Sequence, residues 1–292
     1  MAGSGAAEMP CRWALLLLVP PRGQLLAAAA PSAIRVRADA VVTELPEAMN
    51  GGGCGIEFIE HEIMGGLDSQ LVVGESFEEP HNATTGISDQ WAIGGAGAAF
   101  GGAGATHELV AAPRATYPLA YGGAFPALNG LQYLQMSLPA GGGPVWVQNR
   151  GLNWQGLTLR AGLAVEGWLW MASPHPQPLT VSLELRCGSN TTFASTPPLA
   201  AQNVTVVGKE WAQHNVSALS PSSDCVGDGS IVIALHSGGG PLLLDMVFLQ
   251  PAAEARYKGL PVRKDLADFL LGSGMTGMRM GGGTSESIRQ AT

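Results

Sequence analysis

Between Leu131 and Pro251 the sequence repeats one short phrase, a run of apolar-rich residues closed by a Gly, Pro, Asn or Ser break. Eight such runs stand at Leu131 to Leu138, Val145 to Gln148, Leu157 to Leu163, Gly167 to Met171, Leu179 to Leu185, Val204 to Val207, Ile231 to Leu235 and Leu242 to Leu249. They are too short for stable helices and suited to strands. Leu179 to Leu185 alternates cleanly, with Val181 and Leu183 on one face and Ser182 and Glu184 on the other. Gly 41 and Pro 20 among 292 residues reinforce the reading, because both are costly inside helices and useful at turns. The pattern predicts a mainly β fold whose core is a two-sheet jelly-roll sandwich.

The flanks read differently. Residues 34 to 43 alternate well enough for a first strand, broken by Leu45-Pro46 and the Gly51-Gly52-Gly53 run. From about residue 84 to 120 the chain reads as loop, with Gly94 to Ala105 a low-complexity flexible insertion. After Pro251, Val262, Leu266, Phe269 and Leu270 fall on one helical face, with Pro261 in the first turn and Gly272 as C-terminal cap. Met275 to Met280 then reads as a short strand, so a helix feeds a strand as at the opening of an α/β repeat.

A net charge of −8, with no block of Lys or Arg, excludes the basic footprint that nucleic-acid binding needs. The Leu15 to Val19 run after Arg12, followed by Ala27 to Ala30, reads as a signal peptide over residues 1–33, although Pro20-Pro21-Arg22 interrupts it; the alternative is alanine-rich low complexity. Export is also favoured by four glycosylation sequons, at Asn82, Asn190, Asn203 and Asn215. Cys187 and Cys225 flank strand-like runs and can pair in an oxidising compartment, which leaves Cys54 as the odd cysteine. No later stretch is apolar for long enough to predict a membrane span.

Most motifs dissolve on inspection. Gly272-Ser273-Gly274-Met275-Thr276-Gly277 has dinucleotide-binding spacing, but a helix precedes it and a strand follows, so it reads as a helix cap. His61-Glu62-Ile63-Met64-Gly65 lacks the second histidine of a zinc-protease helix, and no Cys-x-x-Cys is present, so neither a metal nor any other cofactor is expected. Glu57, Glu60, Glu62, Glu75, Glu78 and Glu79 mix with apolar residues, either as a solvated acidic loop or as carboxylates held at strand ends for work on sugars. Trp146, Trp154, Trp168 and Trp170 offer aromatic faces on which a sugar ring can stack. Trp168 and Trp170 share one face of one strand, which in a sandwich points to the core, so that reading is preferred for them.

Three segments together resemble a known family. "GIEFIEHEIMGGLDSQLVVGESFEEP", "VQNRGLNWQGLTLRAGLAVEGWLWMAS" and "VFLQPAAEARYKGLPVRKDLADFLLGSGMTGMRMGGG" are similar to the start of α-L-arabinofuranosidases of glycoside hydrolase family 51, in the branch that carries a carbohydrate-binding-like sandwich insertion. The resemblance implies a retaining (β/α)8-barrel enzyme acting on arabinose-containing polysaccharides. It assigns residues 34–83 to the first barrel strand region, 84–252 to a galactose-binding-like sandwich and 253–292 to the second helix-strand unit. It also assigns substrate contacts to Glu60, with Glu57 as the alternative, and to Arg279.

Two departures accompany it. The interval from Gly55 to Gly65-Gly66 is two residues short of the usual pattern, and "TSESIRQAT" after Gly283 does not continue it. The family's acid/base glutamate follows an asparagine, and no Asn-Glu dipeptide occurs in the chain. Retaining hydrolysis needs two carboxyl groups about 5–5.5 Å apart. The expectation is therefore an N-terminal piece of an incomplete barrel that does not catalyse by itself. Its rival is a secreted, non-catalytic carbohydrate-binding module.

Overall fold

The computed structural model describes residues 53–56, 66–95, 97–101, 106–111, 128, 130–138, 142–188, 196–237, 240–274 and 277–280. One sheet has the order β10 (Ala212–Leu219), β7 (Val165–Ala172), β12 (Leu242–Pro251), β4 (Gln132–Met136), β3 (His107–Ala111). The other runs β2 (Trp91–Gly95), β5 (Val145–Asn149), β11 (Cys225–Ser237), β8 (Leu179–Cys187), β9 (Ala200–Val206), with β6 (Leu157–Leu159) also on β11. All pairings within the two sheets are antiparallel. The chain is mainly β, a jelly-roll sandwich of two sheets, as the alternating runs predict.

The period-two pattern decides what lies between the layers. Val181, Leu183 and Leu185 of β8 and Ile231, Ile233 and Leu235 of β11 are buried facing Leu134, Met136, Leu169, Met171, Leu244 and Leu249 from the opposite sheet in one continuous cluster. Each fully buried Leu or Ile contributes about 1.5–3 kcal/mol. Cys187 and Cys225 form a disulfide with a Cα–Cα distance of 5.7 Å, closing a separation of 38 residues.

Three strands escape the sequence reading. β10 falls between two of the apolar runs, while β2 and β3 lie in the stretch that reads as loop. Far from a flexible insertion, Trp91 to Gly95 is an edge strand paired with β5. Its glycines are there for space: a Cβ on Gly94 would lie 2.0 Å from Trp146 Cζ2, and one on Gly95, at φ +113°, 2.3 Å from the Pro144 carbonyl. β3 closes the edge of the other sheet. There His107 is fully buried, its Nε2 3.1 Å from the Trp146 carbonyl and its Nδ1 2.8 Å from Thr106 Oγ1. A carbonyl only accepts, so Nε2 carries the proton, and the imidazole ties one sheet to the other.

The chain enters and leaves the sandwich at one place. Arg263 N–H donates to Leu67 O (2.9 Å), Ser69 N–H to Pro261 O (3.3 Å) and Leu71 N–H to Leu249 O (2.7 Å). The Gln70 side chain fixes this seam, accepting from Leu249 N–H (2.9 Å) and donating to Val247 O (3.2 Å). Outside it, β1 (Gly53–Ile56) pairs in parallel with β13 (Gly277–Met280), placing Gly55 opposite Arg279. Helix α1 (Lys264–Gly272) precedes β13. The predicted cap shifts by two residues, since Gly274 takes the positive φ of +73° while Gly272 ends the helix. The expected apolar face of α1 is partly covered: Val262, Leu266 and Leu270 are half-buried, Phe269 is 71% exposed, and of the helix only Ala267 is buried.

Replacing both disulfide cysteines with serine should lower stability by about 3–4 kcal/mol, the loop-entropy value for a closure of this length, measured by urea unfolding. Burial pushes the His107 pKa down to about 4, the hydrogen bond to Trp146 opposing it only in part. An unfolded histidine takes its proton near pH 6.5, so stability should fall as pH drops from about 6.5 to 4, by up to about 3 kcal/mol. Urea unfolding across that range should show a steeper loss for the native sequence than for His107→Gln.

Candidate functional site

With the inner faces packed together, chemistry is left to the outer ones. On the five-stranded sheet, alternation along β7 sends Leu169 and Met171 inward and turns Trp168 and Trp170 outward, where both are half-buried. The core reading of these two tryptophans is thus corrected, because the strand's other face is the one that fills the interior. Phe248 stacks on Trp168 with centroids 5.3 Å apart and planes 20° from parallel. Gly167 makes the close approach to β12 possible: at φ +154°, a Cβ there would lie only 2.0 Å from the Phe248 carbonyl oxygen.

A second aromatic pair extends the strip. Trp211, just before β10, meets Tyr133 of β4 edge-on at 5.7 Å and 74°, over small Ala172 and Leu243. Between the pairs, Asp245 is fully buried opposite Trp170, its Oδ1 accepting from Met246 N–H (2.8 Å). Burial raises the Tyr133 pKa, with Glu108 adding to it, so the phenol stays a neutral hydrogen-bonding group. The result is a strip in which Trp168, Trp170, Phe248 and Trp211 keep partly open apolar faces while Tyr133 and Asp245 are buried, a surface suited to the C–H face of a sugar.

The outer face of the six-stranded sheet is polar and buried. Arg186 Nε donates to Glu184 Oε2 (2.5 Å), and Ser182 Oγ donates to Glu184 Oε1 (2.7 Å). Since the single Ser182 proton is committed there, His236 Nε2, 2.7 Å from Ser182 Oγ, is the donor to that oxygen. In the next strand pair Gln148 Nε2 donates to Ser230 Oγ (2.8 Å), and Gln148 Oε1 is buried with no partner among the described residues. Trp146 belongs to this face but is only 5% exposed, packed with Val232 and Ala234 over Gly94. It offers no stacking surface, which corrects its sequence reading.

The remaining candidates are scattered. Trp154 is half-buried in a turn at φ +59°, its indole N–H donating to Asp89 O and the Arg150 guanidinium 5.8 Å from its ring. Asn203 and Asn215 are exposed on β9 and β10, Asn82 sits in a turn, and Asn190 lies outside the described residues. Glu57 and Glu60 also lie outside them, and Arg279 is placed only by its strand register. Among the described residues there is no cluster of potential metal ligands and no helix long and apolar enough to cross a membrane. The sequence reading does not reach Tyr133, Trp211, Phe248 and Asp245; alternation from the inward Leu242 and Leu244 would turn Phe248 inward, and the bulge at Met246 (φ +48°), which shifts the register between Asp245 and Val247, sends it outward instead.

No protein-family model matches the sequence, and no curated protein matches it. Solved structures do. An arabinose-bound α-L-arabinofuranosidase of glycoside hydrolase family 51 superposes with a TM-score of 0.60 over 80% of this chain, at 19% identity. This chain spans 34% of that enzyme's length, and what the two share at this identity is the fold. Looser likenesses are to a family 22 xylan-binding domain from Paenibacillus barcinonensis (TM-score 0.37, 14% identity, 63% of this chain and 96% of that one) and to a family 61 carbohydrate-binding module in complex with β-1,4-galactotriose (0.34, 13%, 62% and 98%).

The polar face supplies a stability test. Glu184→Ala removes a carboxylate from a nearly buried ion pair with Arg186. Chemical unfolding should register a loss of about 3–5 kcal/mol.

Proposed function

We propose that this chain is the opening part of an exported, α-L-arabinofuranosidase-like glycoside hydrolase, in which the inserted sandwich holds arabinose-containing polysaccharide beside the catalytic barrel. The observation that carries the reading is the in-register parallel pairing of β1 with β13 across the whole sandwich. Parallel neighbours need a crossover, and α1 supplies the helix of one. The sandwich, entering and leaving at its own seam, is then a long insertion in a strand-helix-strand unit. The fold likeness to the arabinose-bound enzyme supports the same arrangement.

In such a barrel, sites form at the C-terminal ends of the strands. Arg279 lies next to the end of β13, and Glu57 follows the last residue of β1, with Glu60 three residues beyond. In this reading Glu60 or Glu57 holds sugar hydroxyls, and Arg279 orients a carboxylate through its planar fork. The Cys187–Cys225 pair supports export into an oxidising compartment.

The second reading, a carbohydrate-binding module without catalysis, draws on the aromatic strip. Both readings rest on sugar binding without turnover by this chain, and two assays on the 292-residue product test those two elements. In affinity electrophoresis, arabinan or arabinoxylan in the gel should retard it, and Trp170→Ala or Trp211→Ala should weaken retention by about 3- to 10-fold, the effect of one lost stacking contact. Unretarded migration removes sugar binding. Turnover of an aryl arabinofuranoside should be absent, since no Asn-Glu pair is present; robust turnover would instead show that catalysis rests on other carboxylates.

A further inference from the structure

Across the five-stranded sheet the register sets Asn215 of β10 opposite Trp168 of β7, and Trp168 opposite Phe248 of β12. Directly opposed side chains have Cβ atoms about 4.5–5.5 Å apart. One face of the Trp168 indole is covered by Phe248, so its other face is turned toward β10, where Asn215 stands. Asn215 opens the sequon Asn215-Val216-Ser217, is exposed, and accepts at Oδ1 from Gln213 Nε2 (3.4 Å), which leaves its amide nitrogen free.

We propose that Asn215 carries an N-linked glycan whose first sugars lie against the open face of Trp168. The inference rests on the export reading and adds a ligand for one end of the aromatic strip. Transfer from a polyprenol-pyrophosphate-linked oligosaccharide forms a bond from Asn215 Nδ2 to C1 of the terminal N-acetylglucosamine. The bond from that C1 to the pyrophosphate oxygen breaks, and the amide proton leaves with the lipid pyrophosphate. The Gln202 side chain holds the sequon backbone in the folded strand, donating to Asn215 O (2.9 Å) and accepting from Ser217 N–H (3.2 Å). Transfer therefore precedes closure of the sandwich.

The other described sequons lack this arrangement. Asn203 is opposite Ser182, with no ring beside it in register. Asn82 uses its side chain locally, donating to Asp89 Oδ1 (2.7 Å) and accepting from Thr84 N–H (2.7 Å). With the glycan over Trp168, an incoming polysaccharide is left the Trp170 and Trp211 end of the strip.

The test uses the full chain secreted from a eukaryotic host. Peptide mass mapping should find Asn215 occupied, and Ser217→Ala should abolish that mass while leaving the asparagine in place. Native enzymatic removal of the glycan from the folded protein should increase acrylamide quenching of tryptophan fluorescence and lower Tm by roughly 2–4 °C. Both changes should vanish in a Trp168→Ala protein. An unmodified Asn215 in secreted protein overturns the inference while sparing export. Removal that alters neither quenching nor Tm overturns the contact with Trp168. Retention of the chain inside the cell overturns both export and the glycan.

Discussion

A β-sheet has two faces, and in this molecule each sheet spends one of them on the other. Leu183, Leu185, Ile231 and Ile233 from one layer bury against Leu169, Met171 and Leu244 from the other, and period-two alternation then sends every intervening side chain outward. Functional surface is thus a by-product of core packing. A one-residue slip in β7 would bury Trp168 and Trp170 and expose Leu169 and Met171. The aromatic strip is consequently as firmly specified as the core.

The two outer faces have separate physical characters. One carries rings in pairs, Trp168 with Phe248 and Trp211 with Tyr133, around the Asp245 carboxylate. The other is a closed polar circuit in which Arg186, Ser182 and His236 satisfy Glu184. A buried circuit of this kind is costly if any member is lost and does little for binding while it is complete. The aromatic strip costs less to leave open and has more to gain from a partner that covers it. That asymmetry makes the five-stranded sheet the better suited of the two outer faces to receive a flat, partly apolar ligand.

Much of the sandwich was legible because strands with one buried face must alternate, and all eight runs from Leu131 onward begin or end within two residues of an observed strand edge. What stayed hidden has a physical cause in each case. Gly94 and Gly95 look like loop in sequence, yet they are glycine because Trp146 and the Pro144 backbone occupy the space of a side chain. Trp168 and Trp170 share a face by spacing alone, but which face is buried depends on Leu169 and Met171 finding the opposite sheet. Phe269 matches a helical apolar stripe, yet it is exposed while Val262, Leu266 and Leu270 of the same stripe are half-buried. Local pattern gives periodicity, whereas burial is decided by distant neighbours.

The seam formed by Leu67, Ser69 and Leu71 with Arg263, Pro261 and Leu249 alters the folding problem for the strands outside it. β1 and β13 are more than two hundred positions apart along the chain, a separation that makes parallel pairing slow to find. Once the sandwich has condensed and its seam is shut, the open tether between them shrinks to the short segments on either side. The entropy of closing that gap grows only with the logarithm of the remaining length. The domain thereby acts as a clasp, delivering two remote strands to each other as near neighbours.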